Sequence, residues 1–153
     1  MNIEKFLDLG TEIESQISLI YEKVAKLTVD EAVSEQLIKI SREELNHANS
    51  LKMGKNYLKQ APDLFLAVNM NEEELNAGLT ELGIFQTRLK ETTLLLPALK
   101  WLLDLEKKFE RIHIGVSVLL ADVHLKELFQ TLSKGDQNHV VTLTQIISGY
   151  EGK

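Results

Sequence analysis

Glutamate and histidine stand where a helical core would otherwise carry leucine, twice, in two copies of one pattern. The first copy is Glu14, followed by Glu44-Leu45-Asn46-His47; the second is Glu106, followed by Asp136-Gln137-Asn138-His139. Matched residues lie 92 positions apart (14 and 106, 44 and 136, 47 and 139), and 30 residues separate the two carboxylates within each copy. A carboxylate at i and an imidazole at i+3 share one helix face, so each copy can aim both at one point. Four carboxylates and two imidazoles delivered by four helices form the donor set of a dinuclear metal site in a bundle.

The charge balance of such a cluster demands cations. An ionised carboxylate is costly in a bundle core, and four close together repel until most take up protons. Two divalent ions offset four negative charges, and two neutral imidazoles complete the coordination. Oxygen and nitrogen donors suit iron, manganese or zinc rather than thiolate-preferring ions. The predicted metal ligands are therefore Glu14, Glu44, His47, Glu106, Asp136 and His139.

The elements that must position them are helices. Apolar residues recur at steps of three and four in four stripes. One runs from Ile3 through Glu14 to Val24, one from Val33 through Glu44 and His47 to Leu58, one from Leu95 through Glu106 to Leu120, and one from Leu125 through Asp136 and His139 to Tyr150. The expected helices cover roughly 2–27, 29–59, 95–120 and 122–148. Thr28-Val29-Asp30-Glu31 reads as a capping box for the second, Pro97 suits the first turn of the third, and Asp122 caps the fourth.

Short links make antiparallel hairpins of the first two helices and of the last two. The connection over 60–94 is far longer than the roughly 2 to 8 residues that neighbouring bundle helices need. It contains Pro62 and a stretch from Asn71 to Lys90 that reads as a short helix, with a cap at Asn71. The expected fold is thus all-α: a ferritin-like four-helix bundle of two pseudo-twofold-related antiparallel hairpins, joined by a long crossover and forming a single domain over 1–153. A duplicated hairpin also explains the local match of Ser41-Arg42-Glu43-Glu44-Leu45-Asn46-His47 to Ser133-Lys134-Gly135-Asp136-Gln137-Asn138-His139.

Composition excludes other classes. A net charge of −6 with no basic cluster argues against nucleic acid. The most apolar run, Leu94 to Leu103, is interrupted by Pro97 and Lys100 and is too short for a membrane span. The first residues, Met-Asn-Ile-Glu-Lys-Phe, do not resemble a signal peptide, which makes the cytoplasm the expected location. The absence of cysteine removes disulfides, thiolate nucleophiles and iron–sulfur centres, so redox chemistry would need an external electron donor.

Other candidates read more plainly. Glu110-Arg111-Ile112-His113 repeats the Glu-x-x-His spacing, but Glu110 falls off the core stripe and reads as solvated. His124 reads as an exposed residue at a helix start, Met53 and Met70 as packing or surface, and Trp101 as core edge or a subunit contact.

Glu14-Ser15-Gln16-Ile17-Ser18-Leu19-Ile20-Tyr21, with Glu44-x-x-His47, Glu106 and Asp136-x-x-His139, resembles the di-iron domain of the rubrerythrin family in the ferritin-like superfamily. The resemblance implies two iron ions, peroxide or oxygen reduction or ferrous iron oxidation, and a homodimer. The dimer is also suggested by apolar residues off the inner stripes, Leu19, Ile20, Trp101 and Leu103. Three features depart from the family pattern: no rubredoxin domain is present, Phe109 stands where an additional ligand Glu is usual, and Asp136 replaces a Glu. A metal-binding bundle for iron storage, sensing or partner interaction is the alternative function. His113 takes the place that Tyr21 holds in the first copy, seven residues after the carboxylate and about 10 Å along the axis. The two are expected to flank the mouth of the site, with His113 as proton donor to bound peroxide; the alternative for His113 is a core histidine hydrogen-bonded to a neighbouring helix.

Overall fold

The computed structural model describes residues 3–61, 72–91 and 94–152. Five helices account for nearly all of them: α1 (Ile3–Ala25), α2 (Glu31–Gln60), α3 (Glu72–Glu91), α4 (Leu95–Leu119) and α5 (Val123–Glu151). No strand occurs among the described residues. Pro62, Met70 and Asn71, with the cap expected at Asn71, lie outside them.

Helix starts follow local chemistry. Asp30, rather than Thr28, caps α2: its carboxylate accepts from the Val33 N–H, and the Thr28 hydroxyl accepts from the N–H of Asp30. Asp122 caps α5 by accepting from the Leu125 N–H, and the Tyr57 hydroxyl of α2 donates to its other oxygen. The cap thereby also ties α5 to α2.

Cross-helix contacts set the directions. Ser18 meets Ser41, and Asp8 meets Lys55, so α1 and α2 are antiparallel. His113 meets Asp136, and Lys100 meets Glu151, so α4 and α5 are antiparallel. Tyr21 meets Glu106 and His113 faces Glu14, which sets α4 antiparallel to α1. Glu43 with His139 and Tyr57 with His124 do the same for α2 and α5.

The segment between the hairpins is a lengthwise helix. Phe85 packs on Trp101 at a centroid distance of 4.0 Å, and Glu81 pairs with Lys108, so α3 runs antiparallel to α4. Lys5 pairs with Glu72 at the other end. At 1.5 Å per residue a helix of this length covers about 30 Å. Residues 72–91 thus return the chain along the bundle rather than bridging it with a short turn of helix.

The core unites all five helices, with Leu75, Gly78, Leu82 and Phe85 forming the buried face of α3. Because α3 covers α1 and α4, their outward faces are partly interior. Ile20, expected on the outside, is fully buried, and Trp101 and Leu103 are partly buried against the core. Leu19 alone of the four expected subunit-contact residues is exposed.

Two close approaches need small residues. Ser18 and Ser41 each donate to the other's backbone carbonyl at 2.8 Å, holding α1 against α2 without burying an unpaired hydroxyl. At Gly54 of α2, an added Cβ would come within 2.8 Å of Leu128 on α5. Gly54→Leu should therefore overpack this contact and cost roughly 1–3 kcal/mol, measured as a lowered midpoint in urea. An unchanged midpoint would show that Leu128 simply turns aside.

Candidate metal centre

At mid-bundle the four stripes converge. Glu14, Glu44, Glu106, Asp136 and His139 are buried, and His47 is nearly so. Their ligand atoms form two groups that can hold a metal ion, each within 4.8 Å: Glu14, Glu44, His47 and Asp136 in one, and Glu44, Glu106, Asp136 and His139 in the other. Glu44 and Asp136 belong to both. Asp136 reaches both groups although it is one methylene shorter than its counterpart Glu44.

Several of these atoms lack partners. Oε2 of Glu14, both carboxylate oxygens of Glu44, and Nδ1 of both His47 and His139 are buried without a hydrogen bond. The Nδ1 of His139 lies 2.8 Å from Oε1 of Glu44 and 3.3 Å from Oε1 of Glu106, but off the direction a hydrogen bond requires. Buried polar atoms are nearly always paired, and five orphans distributed over these two ligand groups are an arrangement that cations would complete.

Titration in the metal-free protein reflects the crowding. Burial, with the charges of Glu106 and Glu14, pushes the Glu44 carboxyl well above the usual range. Burial also pushes Glu14 up, but its interactions with Glu44 and His47 outweigh this and hold it at about 2. Burial raises Asp136 to about 6, against the opposing charge of His113. Burial pulls His139 down, yet Glu106 and Glu43 bring it up to about 9.

Tyr21 and His113 occupy crosswise positions. The Tyr21 hydroxyl of α1 donates to Oε1 of Glu106 on α4 at 2.6 Å. His113 of α4 places Nε2 3.4 Å from Oε1 of Glu14 on α1, and its Nδ1–H donates to Asp136 at 2.5 Å. Both side chains are buried rather than lining a mouth. The two-turn offset from the carboxylate on the same helix does not keep them away from the site, because antiparallel packing brings each level with the carboxylate of the facing helix. Phe109 is buried on the α3 side, its ring 3.3 Å from where a Cβ on Gly78 would stand.

Other expected positions fall outside the cluster. His124 is exposed against Tyr57, and Met53 is exposed. Glu110 is half-buried. Glu43 was not among the expected site residues, yet it accepts a hydrogen bond from Nε2 of His139 at 2.7 Å. Its only mark in the sequence is that it stands opposite Gly135 when the two copies are aligned.

The chain matches no protein-family model, no curated protein and no solved structure. No helix among the described residues is long and apolar enough to cross a membrane.

Proposed function

We propose that this chain is a non-haem di-iron carboxylate protein of the rubrerythrin type with a ferritin-like bundle, reacting with peroxide or oxygen or oxidising ferrous iron. Glu44 and Asp136, common to both ligand groups, would be shared between two ions, Glu14 and His47 would complete the hold on one, and Glu106 and His139 would complete the hold on the other. The single observation behind this reading is the set of buried, unpartnered donor atoms on Glu14, Glu44, His47 and His139. Manganese or zinc would satisfy the same donors.

Two ferrous ions, if held there, would supply the two electrons that, with two protons, reduce hydrogen peroxide to two waters. The protein's part is to exclude water and move protons. Tyr21 donates to Glu106 and so fixes one oxygen of that carboxylate. His113 is held between Glu14 and Asp136, and the negative charge of Asp136 helps offset burial and raises its pKa. A protonated imidazole in that place can deliver a proton to an oxygen leaving the site. The protein works as a homodimer, with an external electron donor regenerating the ferrous state.

The test is metal analysis of protein loaded anaerobically with ferrous iron, followed by stopped-flow mixing with peroxide. Two irons per chain and oxidation within seconds are expected, with His113→Phe slowing oxidation at least tenfold at unchanged iron content. Two irons with no oxidation by peroxide or oxygen would assign the chain to storage or sensing. Failure to retain iron, manganese or zinc would overturn the dinuclear reading.

A further inference from the structure

The two halves of the cluster differ at one matched position. Glu43 precedes Glu44, whereas Gly135 precedes Asp136. On one side, Nε2 of His139 donates to Glu43 while Nδ1 points toward the carboxylates, and the side chain is 2% exposed. On the other, a Cβ at Gly135 would fall 2.6 Å from both Cε1 and Nε2 of His47. The imidazole fills the space a side chain would need, so position 135 offers no carboxylate to its outer nitrogen. His47 is 13% exposed, with Nδ1 3.4 Å from Glu44 and 3.8 Å from Glu14.

The remaining donors do not cancel this difference. Tyr21 engages one oxygen of Glu106, and His113 faces one oxygen of Glu14. Glu44 and Asp136 are common to both groups. The asymmetry therefore lies in the histidines. A carboxylate on the outer nitrogen of an imidazole fixes the tautomer that leaves the inner nitrogen free, orients the ring and strengthens it as a donor.

We propose that the two metal loci are unequal by construction. The ion at His139 and Glu106 binds first and tightly, with Glu43 as the positioning residue, and the ion at His47 and Glu14 binds second, weakly and exchangeably. This rests on the dinuclear reading above and adds an order of loading to it. The small residue at 135 and the acidic residue at 43 are the two sides of one device, since the more exposed histidine is the one without an anchor.

The test is titration of the metal-free protein with cobalt(II), followed by calorimetry and by the visible absorption of the bound ion. Two steps separated about 10–100-fold in affinity are expected. His139→Ala should remove the tighter step and His47→Ala the weaker. Glu43→Ala, at a half-buried position, should weaken the tighter step about 10–100-fold and bring the two together. Glu43→Gln, which keeps an acceptor but not the charge, should fall between. Gly135→Ala should push His47 aside and weaken only the second step. Two ions bound with indistinguishable affinity, or a Glu43→Ala variant weakened equally in both steps, would overturn this proposal alone. A folded protein that takes up no cobalt would overturn it together with the dinuclear reading.

Discussion

Glu44→Gln should abolish the protein's response to metal and at the same time stabilise the metal-free chain. Glu44 belongs to both ligand groups, so its loss should take metal content from two ions per chain to well below one. Both of its oxygens are buried without partners, and Glu106 and Glu14 crowd it with like charge. A neutral amide of the same shape removes the cost of either ionising against that repulsion or taking up a proton to avoid it. A gain on the order of 1 kcal/mol, or roughly 2–4 °C in melting temperature for a chain of this size, is expected in chelator. Wild-type protein at a metal concentration a hundredfold above Kd should gain about 2.7 kcal/mol from each ion by mass action, and the variant nothing. Melting curves with and without metal separate the two effects. A variant that is destabilised in chelator would show that Glu44 has a structural partner in the metal-free state.

The second large effect is an inversion of pH dependence by metal. In chelator, the melting temperature should fall as pH rises from about 6.5 to about 9, because His139 is raised from 6.5 to about 9 in the folded protein. A group bound more tightly to its proton when folded stabilises fully below its unfolded pKa, and that contribution is gone above its folded pKa. Asp136, raised from 3.8 to about 6, adds a loss of the same sign over that lower window. Glu14 acts oppositely: lowered from 4.5 to about 2, its contribution is present above 4.5 and is lost as pH falls toward 2. Stability of the metal-free protein therefore peaks on the acid side of neutrality. In the loaded protein, ions compete with these same protons, so binding strengthens as pH rises and the ranking reverses. Melting at pH 5.5 and 8.5, with and without chelator, gives the four values needed. A chelated protein more stable at pH 8.5 than at pH 5.5 would mean that the cluster does not hold its protons as the geometry requires.

Much of this architecture was legible before any coordinates. Helical periodicity is a local property: a stripe at steps of three and four declares the buried face of a helix whatever packs on it. Glu14, Glu44, His47, Glu106, Asp136 and His139 could be read as one cluster because each interrupts such a stripe at its middle, and because matched residues keep one spacing across two copies. Asp122 could likewise be read as a cap, since capping involves only the next three residues.

What required the tertiary structure were relations between helices. Which carboxylate Tyr21 and His113 would meet depends on the axial offset of α1 against α4, and this is set by side-chain interdigitation along the whole interface rather than by the period of either helix. The same holds for Glu43 on His139 and for the space at Gly135 that His47 fills. The helix over 72–91 is visible as a segment, but its lengthwise course is not, and Ile20, which lies off the inner stripe of α1, is nevertheless fully buried in the core of the five-helix packing. The sequence by itself determined which residues face inward, because that follows from a repeat along one chain. Only the packing of five helices decided which inward residues touch, and hence which of the two histidines is anchored and which is not.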